Sequence, residues 1–414
     1  MNGTMSMDFR HITLPNGLDV VAEVNPSAAT LAVGFFVRTG SRDETPGVAG
    51  VSHFLEHMVF KGTPRRTPFD VNREFDEMGA NYNAFTSEEN TVYFGAVLPE
   101  FQDRLVDLLA DIVRPSLRQE DFDVEKKVIL EEIALYEDRP QYRVFEKLMA
   151  AFFAPHPLAN SVLGTPESVT ALTRDAMQAY FDSRYSPGNI TVVAVGKLDF
   201  DRLVEQVRSL CGGWPVAQAP RELPTPPGRC GMTLLTDAKV ARQHMGIASL
   251  APSGQDPDRF AAELVAAIIG DSTGSRLFYA LIEPALADEA STTFEPMDGA
   301  GMFMTFVSAD PDRAAKALRV AQAELKRFQD EGPTEAEMTA AKNKIASSAT
   351  LKGELPMGRL RAVGFDWMYR REYVPLARQI DILLNVTVDD VLRVARAHDL
   401  TRNSALALGP LEKM

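Results

Sequence analysis

Seven residues without a polar side chain, Leu31-Ala32-Val33-Gly34-Phe35-Phe36-Val37, give way to a polar turn, Thr39-Gly40-Ser41-Arg42-Asp43, and then to a stretch with helical spacing. A short apolar run bounded by turn residues predicts a buried strand. Thr45-Pro46 offers the helix an N-cap oxygen with proline at its first position. Lys61-Gly62 offers a cation near the last carbonyls and a residue tolerant of positive φ. The same order returns later. His244-Met245-Gly246-Ile247-Ala248-Ser249-Leu250 precedes the turn Ser253-Gly254-Gln255-Asp256, and a helical stretch from Phe260 to Ile269 stops at Gly270. Taking Gly62 and Gly270 as equivalent stops sets His53, Glu56 and His57 against Ala261, Leu264 and Val265. One strand-turn-helix unit is used twice, polar in the first copy and aliphatic in the second, as expected of a duplication with one active half.

Between the copies, Ala217-Gln218-Ala219-Pro220-Arg221-Glu222-Leu223-Pro224-Thr225-Pro226-Pro227-Gly228 has no hydrophobic period. Its prolines favour extended backbone and remove amide donors, so it reads as a linker. Residues 1–215 and 231–414 are the expected domains, joined by a Pro-rich linker at 216–230.

His53-Phe54-Leu55-Glu56-His57 carries the clearest chemistry. Residues four apart on a helix lie one above the other, so the two imidazoles face one point, with Glu56 projecting from nearly the same side. Two histidines so placed suit a zinc ion, and a neighbouring carboxylate that is not a ligand suits a general base acting on water. The order His-x-x-Glu-His is the inverse of the commoner zinc-protease order and is itself a zinc-protease signature. The chain has only six histidines, and two of them sit in this motif.

Zinc held by two histidines needs at least one more protein ligand. The stretch from Glu120 to Tyr136 has a helical period, with Phe122, Val128, Ile129, Ile133 and Tyr136 as its apolar stripe. Glu125 and Glu132, seven residues apart, fall within that stripe. A carboxylate turned towards a core is costly unless a cation or strong donors meet it. Glu132 is therefore the expected third ligand, and Glu125 the carboxylate that orients a ligand or tunes the metal.

Composition narrows the partners. Hydrophobic residues at 45% and charged residues at 24% are ordinary globular values. A net charge of −14 argues against nucleic acid or an anionic membrane surface as the main partner. The segment MNGTMSMDFR has no apolar core of a secretory signal, and runs such as Ile190 to Val195 are too short for a membrane span. Cys211 and Cys230 are not spaced as a redox or zinc pair, and a reducing cytoplasm with both thiols free is the expectation.

HFLEHM followed by EKKVILEEI resembles the zinc metallopeptidases related to pitrilysin, insulin-degrading enzyme and the mitochondrial processing peptidase. Gly79-Ala80-Asn81-Tyr82-Asn83-Ala84-Phe85-Thr86, with Glu89, Thr91 and Tyr93, resembles that family's edge strand. His156-Pro157-Leu158, Gly164-Thr165 and Tyr185-Ser186-Pro187-Gly188-Asn189 resemble the later part of its first domain. The resemblance covers the whole N-terminal half. It implies an α+β fold of two homologous domains, each an antiparallel-rich sheet with helices packed on one face. It implies one Zn2+ per chain, bound by His53, His57 and Glu132, with Glu56 as the catalytic base of an endopeptidase. Glu132 follows His57 by 75 residues and Glu125 by seven, close to the family's spacings, which favours it over Glu131. Asn83, Ala84 and Phe85 would receive a peptide substrate as an added strand.

The second half departs from the family pattern. After Gly270-Asp271-Ser272-Thr273-Gly274-Ser275-Arg276-Leu277-Phe278, Ile282 and Glu289 stand where the family often has an arginine and a tyrosine that contact substrate. In the family two two-domain units close the chamber, and short members achieve this as dimers. The resemblance therefore implies a dimer. The missing pair favours a heterodimer with a related chain that supplies the arginine and tyrosine over a homodimer that manages without them. Two rivals are weaker. Gly270-Asp271-Ser272-Thr273-Gly274 fits a serine-hydrolase elbow, with His398 as base, but a helical pattern rather than a strand precedes it. A non-catalytic scaffold or peptide-binding subunit of the same fold would not be expected to keep every ligand and the base.

Overall fold

The computed structural model describes residues 7–414, so most of the N-terminal segment read above for a signal, residues 1–6, lies outside the described residues. Its strands are β1 (Asp8–Thr13), β2 (Asp19–Val24), β3 (Leu31–Val37), β4 (Asn81–Thr86), β5 (Thr91–Val97), β6 (Ile190–Gly196), β7 (Gly231–Thr236), β8 (Gln243–Leu250), β9 (Glu289–Met297), β10 (Ala300–Ala309) and β11 (Ser404–Gly409). The apolar runs read from the sequence are β3 and β8, and both are buried almost throughout.

Two sheets form, each with its own compact unit. The first has the order β1-β2-β6-β3-β5-β4 and the second β7-β11-β8-β10-β9. Within the first, β2 and β6 run parallel and every other pair is antiparallel. Within the second, β7 and β11 run parallel and the rest antiparallel. Leaving out β1, the two sheets have the same succession of strands and the same directions. The internal repeat is therefore built into the pairing itself. The fold is α+β with two mixed, antiparallel-rich sheets.

Helices cover one face of each sheet. In the second unit, Arg259–Gly270, Pro311–Glu331 and Val388–Ala397 bury Leu264, Ile268, Leu318 and Val391 against Met245, Ile247, Phe303 and Ala407. Alternate residues of the same strands point the other way, and those are also apolar. One further helix covers each of these opposite faces. Pro140–Phe153 packs Val144, Leu148 and Phe152 on Ala248, Met302 and Leu406 of the second sheet. Pro356–Arg370 packs Leu360, Val363 and Trp367 on Ala32, Phe36 and Val193 of the first.

Both covering helices come from the other half of the sequence. The first unit takes in residues up to Ile133, Asn160–Glu222 and Thr350–Val374; the second takes in Ala134–Ala159, Leu223–Ala349 and Pro375–Met414. The units thus exchange one segment each across the expected division at 216–230. Matching glycines admit the helices. Gly34 pairs with Phe94 across β5, and Gly246 pairs with Phe306 across β10. A Cβ at Gly246 would stand 2.8 Å from Leu148 and 2.9 Å from Val144; one at Gly34 would stand 3.4 Å from Leu360.

No helix among the described residues is long and apolar enough to cross a membrane. Cys211 is buried, Cys230 is exposed, and both are free.

Gly364 sits where the covering helix meets the first sheet, and a Cβ there would lie 2.4 Å from the buried ring of Phe36. Helix propensity favours replacing glycine by about 1 kcal/mol, but overpacking a full core typically costs about 1–3 kcal/mol. Gly364→Leu is expected to lower the midpoint of thermal unfolding by roughly 2–4 °C, the shift that a net cost of about 1 kcal/mol gives a unit of this size. An unchanged midpoint by differential scanning calorimetry would contradict the close contact.

Candidate metal centre

The helix bearing the histidines is Val51–Val59. Thr45-Pro46 does not start it; those residues open a separate short turn, Pro46–Val48. The chain then bends at Gly50, in the left-handed region at φ 90, where a Cβ would lie 2.7 Å from the Leu163 carbonyl oxygen. This close approach to a distant segment forces the break that local sequence does not show. The capping oxygens come from Glu44, which accepts the amides of Gly50 at 2.6 Å and Ser52 at 2.7 Å. The helix ends at Val59, and Gly62 takes a positive φ of 98. Arg118 donates to the Lys61 carbonyl at 2.6 Å and fixes that end.

Phe54 stacks on Phe122 with ring centroids 4.7 Å apart, which docks this helix against the long helix Gln119–Glu137. Phe122, Glu125, Ile129 and Ile133 are its buried residues. Val128, assigned above to the apolar stripe, is 42% exposed, and Tyr136 is only half-buried. Six residues after Phe122 is about 240° round the helix, so Val128 falls off the face centred on Phe122, Ile129 and Ile133.

The docking brings His53, His57 and Glu132 together. Oε2 of Glu132 lies 3.7 Å from Nε2 of His53 and 3.4 Å from Nε2 of His57. One donor atom from each residue falls within 4.8 Å of the other two. Donors about 2.0–2.2 Å from an ion in a tetrahedral array stand roughly 3.4 Å apart. The triangle therefore fits a metal ion. Burial, with His57 alongside, lowers the His53 pKa to about 3, so this imidazole is neutral and keeps a lone pair.

Glu125 holds the second histidine. Its Oε1 lies 2.9 Å from Nδ1 of His57 and its Oε2 lies 2.6 Å from Nζ of Lys61. Burial works to raise the Glu125 pKa, but the bonds from His57 and Lys61 outweigh it and hold the carboxyl below its ordinary value. A carboxylate only accepts, so the His57 proton sits on Nδ1 and Nε2 faces Glu132. Burial pulls the His57 pKa down, yet the bond to Glu125 and the charges of Glu132 and Glu56 raise it overall. Three carboxylates thus surround two imidazoles, with Lys61 as the paired lysine. That surplus of negative charge is what a bound cation would neutralise.

Glu56 stands beside the cluster. Burial raises its pKa, against a hydrogen bond from Thr86 and the charge of His57. The Thr86 hydroxyl donates to Oε2 of Glu56 at 2.7 Å. Thr86 ends β4, the edge strand of the first sheet. Asn83, Ala84 and Phe85 lie on the same strand, paired with Phe94, Tyr93 and Val92 of β5, and among the described residues no strand pairs with its outer side. The Ala84 amide donates to Oδ1 of Asn83 at 2.9 Å.

Glu44, Lys61 and Thr86 support the site, and the sequence reading gave none of them that part. Lys61 was visible only as a helix-end cation and Thr86 only as a strand residue. In the second unit Ala261, Leu264 and Val265 are buried in the core. Arg276 binds Glu337 at 2.7 Å and the Gly332 carbonyl at 2.7 Å, a tie within the fold. Ile282 packs against the core, and Glu289 opens β9 exposed. Ser272 follows the helix Arg259–Gly270, so the strand that a hydrolase elbow needs is not there.

Two homologous α+β units, one armed with a His-His-Glu cluster and a neighbouring carboxylate, define a protein with the layout of a metallohydrolase. Residues 19–166 match the family "Insulinase (Peptidase family M16)", and residues 171–345 match "Peptidase M16 inactive domain". An uncharacterized zinc protease of Mycobacterium tuberculosis is 32% identical over 407 residues, covering 97% of this chain and 93% of the relative. One of Bacillus subtilis is 28% identical, covering 97% and 98%. The crystal structure of a protease from Helicobacter pylori shares the fold with a TM-score of 0.89 at 20% identity, covering 98% of this chain and 100% of that one. The chain belongs to the M16 (insulinase) peptidase family.

The cap on the histidine helix titrates. Burial pushes Glu44 up to about 8, against the two amides and the Ser52 hydroxyl that favour its charged form. The folded protein therefore holds this proton at pH values where the unfolded chain, with an ordinary carboxyl near 4.5, has released it. Stability from this group is present below the unfolded value and is lost as pH rises through about 8. Glu44→Gln cannot ionise, so in metal-free protein the unfolding midpoint of the variant minus that of wild type is expected to rise between about pH 5 and 8.5. A constant difference in calorimetric scans across that range would contradict the shift.

Proposed function

We propose that this chain is a zinc-dependent endopeptidase that takes peptides as an extra strand on β4. The convergence of His53, His57 and Glu132 beside Glu56 carries this reading. When bound, zinc would supply a Lewis acid that polarises a peptide carbonyl and makes water more acidic. His53, His57 and Glu132 would hold it, with Glu125 keeping the His57 ring in place.

The rest follows from the chain's own groups. The open side of β4 offers backbone donors and acceptors at a fixed spacing, which can pair with an extended peptide of almost any sequence. Glu56, half-buried and raised in pKa, is suited to accept a proton from water at one carboxylate oxygen and return it to the leaving amine. The names of the M16 relatives as zinc proteases support the same chemistry.

Ile282 and Glu289 offer neither an arginine nor a tyrosine for substrate. The reading therefore includes a second, related chain that brings them to the assembled enzyme. Native mass spectrometry on protein from its own source is expected to show that unequal pair; a fully active homodimer would remove this part of the reading.

Glu56→Gln is expected to bind zinc as wild type does and to lose roughly 10²–10⁴-fold in turnover of a fluorescence-quenched peptide, the usual worth of a positioned base. Glu132→Gln and His53→Ala are expected to lose the metal, measured by mass spectrometry of the purified protein. Peptidase activity retained by Glu56→Gln would refute the assignment.

A further inference from the structure

We infer that Thr86 is a positioning residue for Glu56, tying the orientation of the base to the edge strand that receives the peptide. The inference rests on the peptidase reading above and adds a component to it.

The Thr86 hydroxyl has one proton to give. Two acceptors lie near: Oε2 of Glu56 at 2.7 Å and Oγ1 of Thr91 at 3.5 Å. The Thr91 hydroxyl is turned elsewhere, donating to the Thr39 carbonyl at 3.0 Å. The Thr86 proton is therefore directed at Glu56. It is the one hydrogen bond to this carboxylate among the described residues, and it leaves Oε1 without a donor. A glutamate carries three rotatable bonds, and a half-buried carboxylate held at one oxygen presents the other in a fixed direction.

The second unit supplies an internal comparison. Aligning the sheets on Gly34 and Gly246 sets the pair Thr86 and Thr91 against Phe294 and Phe303, which face each other across β9 and β10. Glu56 corresponds to Leu264. Phe294 and Phe303 lie with ring centroids 5.7 Å apart, in one core with Leu264. Carboxylate and hydroxyls occur together in one copy, and aliphatic and aromatic side chains occur together in the other. The hydroxyl thus goes with the base, whereas the strand is present in both copies.

Thr86 is also the last residue of β4, next to the three that would hold the peptide. A substrate that presses on this strand moves the hydroxyl, and the hydroxyl moves the base. Coupling of this kind lets a correctly seated strand be the one that is cut.

The test compares wild type, Thr86→Val, Thr86→Ser, Glu56→Gln and the double variant Thr86→Val with Glu56→Gln. Thr86→Val is expected to lose roughly 10–100-fold in kcat, the scale of a misplaced catalytic group. Its KM and its zinc affinity by chelator competition should stay near wild type, and Thr86→Ser should restore most of kcat. In the Glu56→Gln background the valine should cost nothing further, because the hydroxyl acts through the carboxylate. A rise in KM alone, or the same loss in both backgrounds, would overturn the inference. Crystal structures of the single variants give a readout free of turnover. The Glu56 carboxylate should be displaced in Thr86→Val and returned in Thr86→Ser, and an unmoved carboxylate would sink the proposal even for a protein without activity. Glu56→Gln that still cleaves peptide strikes instead at the peptidase reading.

Discussion

A carboxylate as buried as Glu125 must be met by positive charge, and the first unit is organised around meeting it. Lys61 supplies one half of the answer and the His57 ring the other. Each is delivered by a contact of its own. Gly62 and Arg118 set the turn that carries Lys61, while the stack of Phe54 on Phe122 sets the distance between the two helices. Once Glu125 is satisfied, its partner two turns on, Glu132, is left facing both imidazoles. The contact that neutralises this buried charge therefore also fixes the His57 corner of the metal triangle.

The duplicated sheets show what the chemistry requires beyond the fold. Both units share strand order, strand direction and the glycine that admits a covering helix. Where the first unit has His53, Glu56, His57 and Thr86, the second fills equivalent places with apolar core. The second copy shows that the architecture stands without the polar groups. Their presence in the first has to be explained by chemistry rather than by packing.

Much of this was legible in the sequence because the informative spacings are local. Histidines four apart and glutamates seven apart report one helix face, and an apolar run between turns reports a strand. What the sequence concealed depends on distant contacts. Thr45-Pro46 looked like the start of the histidine helix, but the approach of Gly50 to Leu163 moved the start and left Glu44 to cap it. Val128 was grouped with the buried stripe because apolar character alone does not say which side of a helix meets the core. Thr86 was visible as a strand residue, but its bond to Glu56 joins residues 30 apart and only the folded chain makes it. The covering helices were the largest omission, since no local pattern says which sheet an amphipathic helix will find.

That exchange of helices bears on how the chain acquires its structure. Each sheet keeps one apolar face bare until a segment from the other half of the sequence arrives. Cutting the chain at the linker would leave Pro140–Phe153 attached to the wrong sheet and Pro356–Arg370 likewise. Each half then lacks one segment of the compact unit it mostly forms, and the first sheet stays open on one face until residues beyond 350 have been synthesised. The covering segment of the metal-bearing unit emerges long after Glu132, so a product truncated between the two would hold every ligand and the base on a sheet that is not yet closed.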